Sequence, residues 1–166
     1  MAENLPAECI EASAATGWVR VALDIPLADL FDYRSTEPVT VGDRVIVAFG
    51  RRKMIGVVVS LPEMPGYDPS KVKDVQVVLK DIAPLSLSWL RFATFAAEYY
   101  QRPLGEVILP ALPMPLRSVP SYQGKRSGAG PVERLAKRRA LKQEAAAISV
   151  VPQLNSHQEQ AVTAVV

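Results

Sequence analysis

The amino-acid sequence predicts a mainly β protein with α-helices (α+β), in which a small antiparallel β-barrel or twisted sheet is packed with a C-terminal helix and followed by a linker and a basic helix. Three observations favour this fold. Five or six short apolar runs lie between residues 18 and 79, and turn-forming residues separate them. No helical period occurs among these runs, and a period of three to four residues first appears after residue 86. This order is typical of a compact antiparallel barrel or strongly twisted sheet.

The strands are expected in the first half of the chain. Val19, Val21 and Leu23 alternate with residues of the opposite face, which predicts a strand over 18–23. Further strands or extended pieces are predicted at 31–33, 44–49, 54–60 and 72–79. Gly50 followed by three positive charges is expected at a hairpin tip, and the proline-rich stretch 61–70 is expected to be a loop.

The helical part begins at residue 87. Leu90, Ala93 and Ala97 recur at helical spacing, which predicts a helix over 87–100 with Ser86 or Ser88 as the N-cap. Residues 103–113 predict a turn and a short helical piece ended by prolines. The expected organisation is a disordered leader (1–17), a β-rich domain (18–116), a linker (117–130), a basic helix or linker (131–149) and the start of a further element (150–166).

Composition limits the possible functions. The single cysteine excludes a disulfide framework and a four-cysteine zinc site, and no run reaches the roughly 20 apolar residues of a membrane span. A cytoplasmic protein without membrane contact is therefore expected. No phosphate-binding loop, no nucleophile with a base and no histidine at metal spacing is found, so the chain is not expected to be an enzyme or to hold a cofactor by itself. Basic residues outnumber acidic ones 8 to 3 after residue 116, which suits either a polyanion partner or a solvated tail.

Four segments, in order and spacing, carry a resemblance to a known family. They are Phe31-Asp32-Tyr33, residues 42–58 from Gly-Asp-Arg-Val to Ile-Gly-Val-Val, residues 97–107 from Ala-Glu-Tyr-Tyr to Pro-Leu-Gly-Glu-Val, and Ala111-Leu112-Pro113. The ordered set resembles PriA-type primosomal helicases, in their amino-terminal 3′ DNA-binding domain. Residues 154–162 resemble the beginning of the family's helicase core, where Gln158 would read adenine. An equally good interpretation of Gln158 is a solvated residue in an ordinary helix start capped by Asn155 or Ser156.

The resemblance implies a site for the terminal nucleotide of a nascent strand, formed by Phe31, Asp32, Tyr33, Gly50 and Lys73. A carboxylate repels phosphate, so Asp32 suits a strand that has ended in a hydroxyl. Phe31 or Tyr33 could stack on the base, and Gly50, which has no Cβ, would let the backbone approach the nucleotide closely. The cations expected to attract the preceding phosphates are Arg51, Arg52, Lys53 and Lys73.

Each of these residues also has a structural interpretation. At least one of the two aromatic residues is expected in the core, Asp32 could end a turn, Gly50 could serve only the hairpin, and residues 51–53 could be a solvated tip.

The resemblance further implies partners and limits. Expected partners are single-stranded or forked DNA with a free 3′-OH, a helicase core, primosome proteins and single-stranded DNA-binding protein. ATP, magnesium and zinc belong only to the full-length family. Residues 117–153 are too short and too poor in apolar residues for the winged-helix domain usual in the family.

The function expected from the sequence is recognition of a 3′-OH end at a stalled replication fork, as part of a replication-restart helicase. A β-barrel that binds another protein through an edge strand or its Trp18 face, and an RNA-binding barrel that depends on the ribose 2′-OH, are the alternatives.

Overall fold

The computed structural model describes residues 15–123, 130–148 and 155–164. These residues form two compact units, divided between Val132 and Glu133. The expectations for residues 1–14, 124–129, 149–154 and 165–166 lie outside the described residues. No described helix has the length and apolar character needed to cross a bilayer.

The first unit contains a nearly closed antiparallel barrel. Its strands are β1 (Ala15–Leu23), β2 (Phe31–Val39), β3 (Arg44–Phe49), β4 (Arg52–Ser60) and β5 (Val75–Leu79), in the spatial order β2-β1-β4-β3-β5. A parallel bridge between Arg34 and Asp74 joins the two outer strands, and the Arg34 N–H donates to the Lys73 carbonyl at 3.0 Å. The predicted α+β fold with a small antiparallel barrel is confirmed.

The helices are α1 (Leu87–Tyr99), α2 (Leu104–Ala111) and the short α3 (Pro120–Gln123). Single 3-10 turns occur at Pro69–Lys71 and Met114–Leu116. The Ser86 hydroxyl caps α1 by accepting the N–H of Trp89 at 3.3 Å, as its N-cap pattern predicts. α2 can pack against β1 because residue 105 is glycine: a Cβ there would lie 1.7 Å from the carbonyl oxygen of Leu23.

Strand alternation produces two apolar layers. The interior of the barrel is filled by Val19, Val21, Leu23, Tyr33, Val39, Val45, Val47, Val58 and Val78. The opposite face of the sheet supplies Ala22, Ile46, Ile55 and Val57, which pack against Leu90 and Ala93 of α1 and Ile108 and Leu109 of α2. Strands that are apolar on both sides are thus explained by burial on both sides.

Several boundaries differ from the sequence-based expectation. β1 begins at Ala15, inside the predicted leader, and β2 continues to Val39 because Ser35 and Val39 are buried. β5 begins at Val75 instead of residue 72, because Asp68 caps the 3-10 turn that precedes it.

The domain also extends beyond its predicted end at Leu116. Arg44 is 2% exposed and is paired with Asp81. Its guanidinium donates to the carbonyl of Leu116 at 3.0 Å and to the hydroxyl of Tyr122 at 2.5 Å. Val119 and Tyr122 pack against the layer beneath the helices. Residues 117–123, predicted as linker, therefore belong to the folded domain.

The second unit contains most of α4 (Pro131–Ile148) and α5 (Ser156–Thr163). The helix predicted over 131–149 is present as α4. At the start of α5 the N–H of Gln158 donates to Asn155 Oδ1 at 2.9 Å, and the N–H of Asn155 donates to Gln158 Oε1 at 3.0 Å. This reciprocal pair is a capping box with asparagine in the first position.

Candidate nucleic-acid interface

The three residues Phe31, Asp32 and Tyr33 begin β2, and the strand alternation divides them between two faces. Phe31 and Tyr33 pack with the interior layer of the barrel, whereas Asp32 pairs on the outer face with Arg20 of β1. Although the three residues are adjacent in sequence, the aromatic side chains therefore do not lie on either side of the carboxylate.

Tyr33 is a core residue. It is 4% exposed, and its hydroxyl donates to the carbonyl of Ala48 at 3.3 Å. The ring offers no free face for a nucleobase. Phe31 is only partly buried, and its ring meets that of Phe49 edge-on, with 5.1 Å between the centroids. Phe31 is thus the aromatic residue of the pair that retains accessible surface.

Burial of the hydroxyl has a measurable consequence at high pH. Desolvation raises the pKa of Tyr33 to about 12, above the ordinary value of 10.0. The folded state keeps this proton when the unfolded state has lost it, so the stability contribution is complete below pH 10 and is lost as pH rises towards 12. We expect the free energy of unfolding to fall over this range. In Tyr33→Phe the fall should be smaller, and denaturant titrations at several pH values would measure the difference; an equal fall in both proteins would contradict it.

Asp32 lies at the centre of a small polar cluster on the outer face. Arg20 Nε donates to its Oδ1 at 3.0 Å, the N–H of Gly66 donates to its Oδ2 at 2.5 Å, and the Asp32 side chain is 9% exposed. A carboxylate has about four acceptor positions, so two remain for further donors. The same contacts bind the loop that follows β4 to the barrel.

Gly50 occupies the first position of the two-residue loop between β3 and β4, where Phe49 pairs with Arg52. Its φ of +57° is one that L side chains rarely adopt, which explains glycine in this hairpin. A Cβ at this position would meet nothing within 4 Å, so the backbone at the tip is open to a ligand. Arg52 and Lys53, predicted at the tip, already belong to β4.

The cations of the hairpin are exposed. Arg51, Arg52, Lys53 and, from the segment before β5, Lys73 have no carboxylate partner among the residues that the structure describes. Unpaired exposed cations remain available to phosphates.

Three of the predicted residues, Phe31, Gly50 and Lys73, belong to segments at one end of the barrel. The Phe31–Phe49 ring contact joins the start of β2 to the hairpin that carries Gly50. Val47 pairs with Val75, so Phe49 and Lys73 extend the ladder towards the same end. Asp32 follows Phe31 in β2, and its side chain is on the outer face, where it is 9% exposed. The sequence did not predict that Arg20 and Gly66 would contact Asp32. Arg20 alternates with apolar residues and could have been recognised as outward-facing. Nothing in the sequence around Gly66 indicates a contact with β2.

Gln158 lies in the second unit, where its side-chain oxygen already accepts the N–H of Asn155. The helix start capped by Asn155, one of the two interpretations drawn from the sequence, is therefore present in the structure, and Gln158 adds the reciprocal hydrogen bond. The adenine contact stays a prediction.

Comparison with known proteins decides the family. A model of the PriA 3′ DNA-binding domain (3′BD) matches residues 20–113, more than half of the chain. The chain belongs to the PriA 3′ DNA-binding domain family. It is 41% identical over 106 residues to the replication restart protein PriA of Haemophilus influenzae. This match covers 60% of the chain and 14% of the length of the Haemophilus protein. All predicted DNA-binding residues from Phe31 to Lys73 fall within the matched region, and Gln158 falls outside it.

Proposed function

We propose that this 3′ DNA-binding domain recognises the free 3′-OH of a DNA strand at the open end of its barrel, with Asp32 accepting a hydrogen bond from the terminal hydroxyl. The observation that carries the proposal is the outward carboxylate of Asp32, fixed by Arg20 and by the N–H of Gly66. It lies beside the end of the barrel that presents Phe31 and Gly50.

The charges around Asp32 favour recognition of a DNA strand end over binding along a continuous strand. The guanidinium of Arg20 offsets part of the charge of Asp32 but leaves acceptor positions on both oxygens. A hydroxyl can donate to these positions, whereas a 3′-phosphate brings only negative charge and acceptors. A hydrogen bond to a charged group contributes about 1.5 to 3 kcal/mol, which corresponds to roughly 10- to 150-fold in affinity.

The remaining contacts would supply affinity without sequence preference. The accessible part of Phe31 can stack against the terminal base, and the open backbone at Gly50 can approach the nucleotide. Arg51, Arg52, Lys53 and Lys73 would attract the phosphates that precede it, a contribution that weakens as salt rises.

The deciding experiment compares two matched oligonucleotides that end in 3′-OH or 3′-phosphate. We expect the wild-type chain to bind the 3′-OH form at least about 10-fold more tightly in fluorescence anisotropy, and Asp32→Asn to lose most of this preference because the charged acceptor is gone. Asp74→Asn is the matched control, since Asp74 is also paired with an arginine, Arg34 Nε at 2.8 Å, on this side of the barrel. The control should keep the preference. Equal affinities of the wild-type chain for both ends, or an unchanged preference in Asp32→Asn, would overturn the assignment.

In a cell, we propose that this recognition serves replication restart at stalled forks. The name of the Haemophilus relative, a replication restart protein, supports this role. A helicase core is the proposed partner that the domain would position. Primosome proteins and single-stranded DNA-binding protein are proposed partners on the basis of the family resemblance.

A second candidate function, protein binding, is favoured by the outer face of α1. Phe92, Phe95 and Tyr99 recur there at helical spacing and are 60–69% exposed. Phe95 and Tyr99 stack with 5.9 Å between their centroids. An exposed aromatic strip of this kind is typical of protein interaction sites. Binding through this face should be insensitive to salt and to added single-stranded DNA, whereas binding through the cationic end should not. RNA and DNA versions of one oligonucleotide would test the RNA-binding alternative.

A further inference from the structure

The loop between β4 and β5, residues 61–74, contacts the ion pair of Asp32 and Arg20 through Gly66. The N–H of Gly66 donates to Asp32 Oδ2, and a Cβ at Gly66 would lie 3.3 Å from that oxygen and 3.4 Å from Arg20 Nη2. The backbone of residue 66 is therefore in contact with the pair. Tyr67 follows immediately, with its Cα about 3.8 Å further along the chain.

The side chain of Tyr67 is 64% exposed, although it is a large aromatic residue. The ammonium of Lys71 lies 5.9 Å from the centre of its ring, within the range of a cation–π contact. Lys71 approaches the ring from one side, and the high exposure leaves surface of the ring available. A single exposed tyrosine is common, so exposure alone does not mark a binding site.

The backbone on both sides of Tyr67 is held in place. Before it, Gly66 is bonded to Asp32. After it, Asp68 Oδ1 accepts the N–H and the hydroxyl of Ser70 at 3.0 and 2.8 Å, and the Asp68 carbonyl accepts the N–H of Lys71 at 2.9 Å. The Tyr67 ring thus stands on a structured turn, which lowers the entropy lost when a ligand binds to it.

We propose that Tyr67 is a second stacking platform, which binds the nucleobase next to the terminal nucleotide, with Lys73 attracting the phosphate beside it. This inference rests on the proposed function, because Asp32 defines where the strand ends. A ring one residue away from the contact with Asp32 is placed for a neighbouring nucleotide. The same segment carries Glu63, Asp68 and Asp74, and Lys71 is paired with Asp68 at 3.6 Å. Lys73 is exposed and has no carboxylate partner among the described residues, so it is the cation of this segment that is available to a phosphate.

Tyr67→Ala and an abasic oligonucleotide test this placement together. In the 166-residue chain, Tyr67→Ala should weaken binding of a 3′-OH oligonucleotide about 10-fold, and removing the penultimate base should weaken wild-type binding by a similar factor. The two changes combined should cost little more than either alone, because both remove the same stack. Tyr67→Phe should retain wild-type affinity, since stacking needs the ring and not the hydroxyl.

Met64→Ala is the matched control, because Met64 is an apolar residue of the same loop and is 71% exposed. It should leave DNA affinity within about twofold. The abasic position is then moved along the strand, and each oligonucleotide is tested with the wild-type chain and with Tyr67→Ala. If the effects of Tyr67→Ala and of base removal fail to add at the penultimate position, the placement is supported. If they fail to add at another position, or add at every position, the placement is overturned. The preference of the wild-type chain for 3′-OH over 3′-phosphate is measured separately, so the proposed function can stand when the Tyr67 inference fails, and the reverse.

Discussion

Replacing Gly105 with alanine is expected to lower the free energy of unfolding by more than about 3 kcal/mol. Alanine is the better helix former by about 1 kcal/mol, so helix propensity alone predicts the opposite sign. The new Cβ, however, would lie 1.7 Å from the carbonyl oxygen and 2.3 Å from the carbonyl carbon of Leu23. Both atoms belong to the backbone of β1, so α2 would have to move away from the sheet. That movement would expose Ile108 and Leu109, which are 0% and 1% exposed.

Denaturant titration followed by circular dichroism measures this change. Gly130→Ala is the control, because the nearest atoms to its added Cβ, both from Asp81, lie 3.7 and 3.8 Å away, an ordinary contact distance. We expect the control to change stability by less than about 1 kcal/mol. A Gly105→Ala protein as stable as the control would show that α2 does not depend on its close approach to β1.

Arg44→Met is expected to destabilise the domain by about 3 kcal/mol. The guanidinium is fully buried and has three partners, Asp81, the carbonyl of Leu116 and the hydroxyl of Tyr122. Methionine fills part of the space but leaves the carboxylate of Asp81, whose side chain is 19% exposed, without its cation. An uncompensated carboxylate in this position is costly, and residues 116–122 lose their attachment to β3.

Arg102→Met provides the matched comparison. Arg102 also pairs with a carboxylate, Glu106, but its side chain is 67% exposed and the distance is 3.6 Å. An exposed pair of this kind contributes less than about 1 kcal/mol. Adding Asp81→Asn to Arg44→Met should recover part of the lost stability, because the unpaired charge is removed. If Arg44→Met were no more harmful than Arg102→Met, the buried network would have no structural role.

Much of the fold could be predicted from the sequence because it depends on local periodicity. The alternation of Val19, Val21 and Leu23 and the N-cap at Ser86 correspond directly to elements of the structure. The end of the domain could not be predicted, because residues 117–123 are rich in turn formers and are held by Arg44, which is distant in sequence. A single arginine inside a strand gives no indication of which segment it will bind.

The site was predictable to a different extent. The resemblance predicts Asp32 and Gly50 as binding residues, and strand alternation correctly predicted that at least one of the aromatic residues Phe31 and Tyr33 would be buried. The contacts of Asp32 with Arg20 and Gly66 depend on strand register and on the path of a loop. Neither can be read from the residues of one strand.

Buried and outward-facing side chains alternate in β2, so substitutions at neighbouring positions are expected to have two different kinds of effect. Residues 33 and 35 are buried, and residue 31 is partly so; changes there are expected to reduce the amount of folded protein in a cell. Residues 32 and 34 lie on the outer face, and under the proposed function a change of Asp32 is expected to alter recognition of the strand end. Arg34, whose side chain is 54% exposed, is thus a position where a change is expected to leave the amount of folded protein largely unaltered, whereas a change of Asp32 also removes the contacts that bind the loop after β4 to the barrel.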